Sequence, residues 1–175
     1  MAASNNVLKK LSGGDRRSIG RSNEVAELVL KQPRLFGELI QGLCATDPLV
    51  RMRAADAAEK VSRQQPDLLR PFKRELMHLL QETSEQELRW HLAQMVPRLP
   101  LTSKERLRTT AVFRRYLEDR SSIVKTCAMQ ALADTAAKDE SLLSETKALL
   151  QDAMRSGTAA MRARGRKLLA QFEAH

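Results

Sequence analysis

Three histidines, two cysteines and one tryptophan are among the scarce side chains in a 175-residue chain dominated by Leu, Ala, Arg and Glu. His78, His91 and His175 fall in separate segments. They lack the His-Glu-x-x-His spacing that sets two imidazoles and a general base on one helix face around zinc. Glu87 and His91 stand four apart, a spacing that reads as a surface ion pair, since two ligands do not make a metal site. Cys127 has no His and acid beside it in the sequence to activate its thiol, so it reads as a small packing residue. Cys44 and Cys127 are expected two hairpins apart, too far for a disulfide. Two cysteines in all point to a reducing compartment. Gly13-Gly14, flanked by Lys9, Lys10, Arg16 and Arg17, could cradle an anion, but the Gly-Lys-Ser/Thr pattern of a nucleotide loop is absent. No catalytic residue, metal site or cofactor emerges from these patterns. The chain reads as a non-enzymatic protein.

Cations are the more abundant chemistry. Lys and Arg number 30 against 21 acids, a net charge of +9, which invites a nucleic-acid reading. The excess is terminal: residues 1–22 carry +4, residues 23–152 only +1, and residues 153–175 +4. Arg162, Arg164, Arg166 and Lys167 splay around their helix at about 100° per residue, so some of them face solvent. They read either as a solubilising end or as a site for phosphate, nucleic acid or an acidic protein. Residues 1–22 read as a basic, partly flexible leader.

The element that must position these groups is a repeat. Val50 to Ala57, Leu88 to Met95, Val124 to Ala131 and Met161 to Leu168 align without gaps, and their first residues are 38, 36 and 37 positions apart. In each copy the first residue is apolar, the second basic, the fifth small or apolar and the eighth apolar. Positions one, five and eight share one face of a helix. A second amphipathic stretch precedes each copy: Leu35 to Cys44, Leu68 to Leu80, Leu107 to Leu117 and Leu142 to Met154. The pairs predict helical hairpins at about 33–64, 66–98, 102–137 and 139–173, with a capping helix at 23–32. Asp47 before Pro48 reads as an N-cap, while Ser84 with Glu87 and Thr102 with Glu105 have capping-box spacing. Pro66 and Pro100 separate hairpins, and Pro97 ends or bends its helix.

The run Asp47-Pro48-Leu49-Val50-Arg51-Met52-Arg53-Ala54-Ala55-Asp56-Ala57 resembles the second helix of a HEAT repeat, and Ser121-Ser122-Ile123-Val124-Lys125 resembles it with Lys for Arg. Asp119, six residues ahead of Lys125, matches the family's ladder acid. The likeness covers about residues 33–172. The period is short for the family, and Leu88-Arg89-Trp90-His91 is bulky where alanines are usual. The resemblance implies an all-α, right-handed α-α superhelix of about nine helices, with a concave binding surface lined by the second helices. It also implies that the ladder Arg51, Arg89, Lys125 and Arg162 bonds to loop carbonyls and acids of its own or a neighbouring repeat. The competing reading of that ladder is a row of phosphate contacts.

On such a solenoid the third residue of each copy, about 200° from the first, faces the groove: Met52, Trp90, Thr126 and Ala163, with Asp56, Gln94, Gln130 and Lys167 beside them. Arg53 and His91 border the same surface. Trp90 reads either as a groove hot spot or as core. Met52, Arg53, Trp90, His91, Gln94, Thr126 and Gln130 are therefore the expected partner-binding residues of an interaction scaffold. The alternative is a nucleic-acid-binding or repair accessory protein using the basic ends. One family of HEAT-like solenoids excises alkylated DNA bases in a basic, tryptophan-lined concavity; with a single Trp and a near-neutral middle, this chain resembles it at the level of the fold only. Self-assembly through a solenoid end stays open, with Gly165, Arg166 and Lys167 as polar residues against it. No apolar run nears the roughly 18 residues of a membrane span and the N-terminus lacks a secretion signal, so the expected location is cytoplasmic and the expected partner a protein.

Overall fold

Each repeat copy turns its first, fifth and eighth residues inward, and all twelve of these positions are buried, from Val50, Ala54 and Ala57 to Met161, Gly165 and Leu168. Removing such side chains from water is what makes marginal helices stable in place, at about 1.5–3 kcal/mol for a full-sized aliphatic residue. The computed structural model describes residues 4–15 and 17–174. Among them stand ten α-helices and no strand, so the chain is all-α. After α1 (Ser4–Leu11) and α2 (Ser22–Lys31) come α3 (Phe36–Gly42) and α4 (Pro48–Gln64), α5 (Lys73–Glu82) and α6 (Gln86–Met95). The order closes with α7 (Ser103–Tyr116), α8 (Ser122–Ala136), α9 (Leu143–Arg155) and α10 (Ala159–Glu173). Helices α2, α4, α6, α8 and α10 each pack on the next in chain order, while α3, α7 and α9 pack beside their hairpin partners.

Local chemistry sets the boundaries. Asp47 accepts a hydrogen bond from the Leu49 amide, with Pro48 in the first turn of α4, and Thr102 and Glu105 form a complete capping box on α7. The Ser84 box does not form. Helix α6 starts at Gln86, and the Glu85 amide donates instead to Thr83 Oγ1 at 3.2 Å. The Glu85 carboxylate, at the N-cap, pairs with Arg51. Pro97 sits in a short 3-10 turn, Val96–Arg98, that ends α6.

The leader departs from expectation. Residues 4–11 form a helix rather than a loose tail, which brings the count to ten. Val7 and Leu11 are buried against the core, and α1 contacts α2, α3 and α4. Lys10 Nζ lies 2.8 Å from Glu24, which also pairs with Arg21. Helices α1 and α2 thus make a fifth hairpin whose connection, residues 12–21, is longer than the loops 43–47, 83–85, 117–121 and 156–158 of the others.

Candidate functional site

The basic second residue of each copy lies at the foot of its helix, where the chain has just turned and left carbonyls without partners. Arg51 donates through Nη1 to the Ala45 and Thr46 carbonyls at 2.6 and 3.0 Å and pairs with Glu85 of the next hairpin at 2.8 Å. Arg89 repeats this, donating to the Thr83 carbonyl at 3.0 Å and to Asp119 of the next hairpin at 2.6 Å. It also lies 5.3 Å from the centre of the Tyr116 ring, whose hydroxyl donates to the Leu80 carbonyl at 2.6 Å. Burial pushes the Tyr116 phenol up to about 12. Burial alone would raise the Asp119 carboxyl too, but the Ser121 amide and Arg89 outweigh it and hold the group below its ordinary value. Arg162 donates to the Gly157 carbonyl at 2.5 Å. These arginines spend their donors on neighbouring loops.

Sequence reasoning missed a second row of cross-hairpin contacts. Lys73 pairs with Glu105 at 2.9 Å, and Arg106 donates to the Leu101 carbonyl at 2.5 Å and to Asp139 at 3.0 Å. Arg98 reaches back to the buried Glu59 at 2.5 Å, which also holds Arg63. The separation of each cross-hairpin partner by roughly one repeat length is a signal that could have found them.

Arg53 corrects the expected site. Its side chain is only 2% exposed, so it is not a surface for a partner. The long 12–21 connection wraps it: Nε donates to the Ser18 carbonyl at 3.1 Å, Nη1 to Leu11 at 2.9 Å and Gly13 at 2.5 Å, and Nη2 to Asp15 at 2.9 Å. Gly13-Gly14 therefore helps cradle a cation through its carbonyl, not an anion through its amides. Gly20, with φ of 54°, lies so close that an added Cβ would stand 2.6 Å from Arg53 Cζ. Arg16 and His175 lie outside the described residues.

His91 is corrected as well. It is 7% exposed, its Nδ1 is buried without a protein partner, and it forms no ion pair with Glu87 among the described residues. Burial pulls its imidazole down to about 4, against the opposing pull of Asp56, Glu59 and Glu87. Trp90 is half-buried, packed on the core and edge-on to His91 with ring centres 5.6 Å apart. Met52, Trp90, Arg53 and His91 converge, joined by Asp56 and by Ile19 of the connection, around a recess of about 140 Å³. Ile19 is 45% exposed at its rim. Asp56 is held by Ser22 and by Lys60 at 2.5 Å.

The remaining expected residues continue along the same helices but do not enter the recess. Gln94 donates to the Trp90 carbonyl at 3.2 Å, Thr126 to the Ser122 carbonyl at 2.7 Å and Gln130 to Asp134 at 2.8 Å. Arg164 donates to Gln130 at 2.7 Å, and Arg162, Arg164, Arg166 and Lys167 are all exposed. Gly165, expected as a polar end residue, is buried against Met154 and Met129. Cys127 packs on the core, where burial pushes its thiol up to about 11, and Cys44 is raised in the same way. Neither thiol carries the lowered value of a nucleophile. Among the described residues no group of three or more His, Cys, Asp and Glu is placed to hold a metal, and no helix is long and apolar enough to cross a membrane. No protein-family model matches the chain, and no curated protein matches it.

Proposed function

We propose that the chain is a HEAT-like, right-handed α-solenoid that works as a non-enzymatic interaction scaffold in the cytoplasm, binding an extended or helical segment of a partner protein along its second helices. The observation that carries this reading is the recess under Trp90. The lone tryptophan, Met52 and Ile19 wall a space of about 140 Å³, the size of one apolar side chain, on a face whose neighbours Gln94, Thr126 and Gln130 are polar and partly exposed. A buried anchor surrounded by polar contacts is the usual make-up of a binding hot spot. The stacking of α2, α4, α6, α8 and α10, together with the ladder of arginines, supports the solenoid architecture.

Selection of displayed random peptides on the wild-type chain, with counter-selection on Met52→Glu, tests it. Enriched peptides should share an apolar anchor, shift Trp90 fluorescence on binding, lose affinity with Met52→Glu, and tolerate Arg166→Glu with Lys167→Glu. Their affinity should change little with salt. Peptides that bind both chains equally would remove the recess from the function. The nucleic-acid reading rests on Arg166 and Lys167, which are exposed and form no ion pair among the described residues. It requires duplex or single-strand affinity that falls steeply with salt and is lost with those two charges.

A further inference from the structure

The arginine ladder lacks its acid at one step. Arg51 meets Glu85, and Arg89 meets Asp119, each an acid from the loop that opens the next second helix. Lys125 holds the same register in α8, but the next loop reads Ser156-Gly157-Thr158 where the preceding one reads Asp119-Arg120-Ser121. Ser121 and Thr158 are the N-caps of α8 and α10. Aligned on those caps, Ser156 occupies the position of Asp119, a hydroxyl in place of the carboxylate. Among the described residues Lys125 forms no ion pair, and it acts on Asp119 only at longer range.

What fills the step is space. A cavity of about 430 Å³ opens between these loops, and Lys125, Arg120, Ser122, Ser156 and Thr158 line it. Two other charges on its wall are already matched, Asp152 with Arg155 and Arg114 with Glu145. Glu118 is left against the Lys125 and Arg120 cations. Both flanking helices begin at the cavity, and their free amides add to its positive potential. Lys125 and Arg120 against Glu118 leave a net positive wall, and a bound anion would supply the negative charge that Glu85 and Asp119 supply at the earlier steps. The volume lies in the range of small-molecule sites and exceeds that of a bare oxyanion.

We propose that this cavity binds a phosphate group carried as a monoester, with Lys125 and Arg120 as its cationic contacts and the Ser156 and Thr158 hydroxyls donating to its oxygens. The site is separate from the recess under Trp90 and does not depend on the scaffold reading. The test is titration of the full chain, at constant ionic strength, with inorganic phosphate and with phenyl phosphate. It is followed by backbone amide shifts and by melting temperature.

Both probes should move the amides of residues 120–125 and 156–158 saturably and raise the melting temperature, and the monoester should bind more tightly. Equal binding of the two would overturn the monoester assignment and leave free phosphate as the ligand. Lys125→Gln should weaken binding at least about tenfold, the loss of one charge-assisted contact. Ser156→Asp restores the ladder acid, so it should abolish binding while raising the melting temperature. That opposite sign separates a filled site from a misfolded chain. Absence of saturable shifts at these amides up to about 10 mM probe, or unchanged affinity in Lys125→Gln, would overturn the proposal.

Discussion

At the scale of single residues, two buried basic side chains are managed in opposite ways, Arg53 kept charged by hydrogen bonds and His91 kept neutral by burial. Arg53 gives four hydrogen bonds to the carbonyls of Leu11, Gly13, Asp15 and Ser18, so it latches the leader to α4. Arg53→Ala should cost about 2–4 kcal/mol, the scale of several charge-assisted hydrogen bonds partly replaced by water. Amide exchange should rise selectively across residues 7–21. Arg53→Lys should fail to restore protection, because one ammonium cannot span the carbonyls a planar guanidinium reaches. His91 acts through pH. Its imidazole is neutral in the fold with a value near 4, while the unfolded chain titrates at 6.5. The stability tied to its neutrality is complete above pH 6.5 and is lost as pH falls toward 4, by up to about 3 kcal/mol. Denaturant midpoints of the wild type should therefore drop more between pH 6.5 and 4.5 than those of His91→Gln. Parallel profiles would show that other groups set the acid limb.

At the scale of elements, close helix approach and capping decide local stability. Gly165 lets α10 settle onto Met154 of α9 and Met129 of α8, where an added Cβ would overlap the Met154 thioether and approach Met129 Cε to 3.1 Å. Gly165→Ala gains helix propensity of about 1 kcal/mol but must push these side chains aside. The net change should be a loss of about 1–2 kcal/mol, read from urea unfolding. Thr102→Ala removes one half of a capping box and should cost about 1 kcal/mol. The hairpins were legible because their signals are local: the 3.6-residue apolar period, Asp47 before Pro48, and the Thr102 to Glu105 spacing all act within one or two turns. Helix α1 was not, since Val7 and Leu11 are buried where α1 meets α3 and α4 as well as α2, and those contacts are not local in sequence. The Ser84 cap was misplaced by one residue: α6 begins at Gln86, so Glu85, paired with Arg51 34 positions earlier, stands at the N-cap. Within the candidate site, Met52 and Trp90 were readable from register. Arg53 and His91 were not, because what covers them comes from the 12–21 connection and from α4.

At the scale of the whole molecule, cross-hairpin pairs link neighbours in chain order: Arg51 to Glu85, Lys73 to Glu105, Arg89 to Asp119 and Arg106 to Asp139. Stability should then be distributed along the stack, with the inner helices supported on both sides and the last on one. Native-state amide exchange should be slowest in α4, α6 and α8 and faster in α10. Uniform protection would mean that the chain opens only as one unit. The Arg53 latch adds a condition of timing. Leu11 and the guanidinium that holds it are 42 residues apart, so during synthesis the first helix leaves the ribosome before its clasp has been made. At about 5–20 residues per second the interval is about 2–8 s. For that time the apolar face of Val7 and Leu11 is open to whatever nascent-chain factors stand at the tunnel exit.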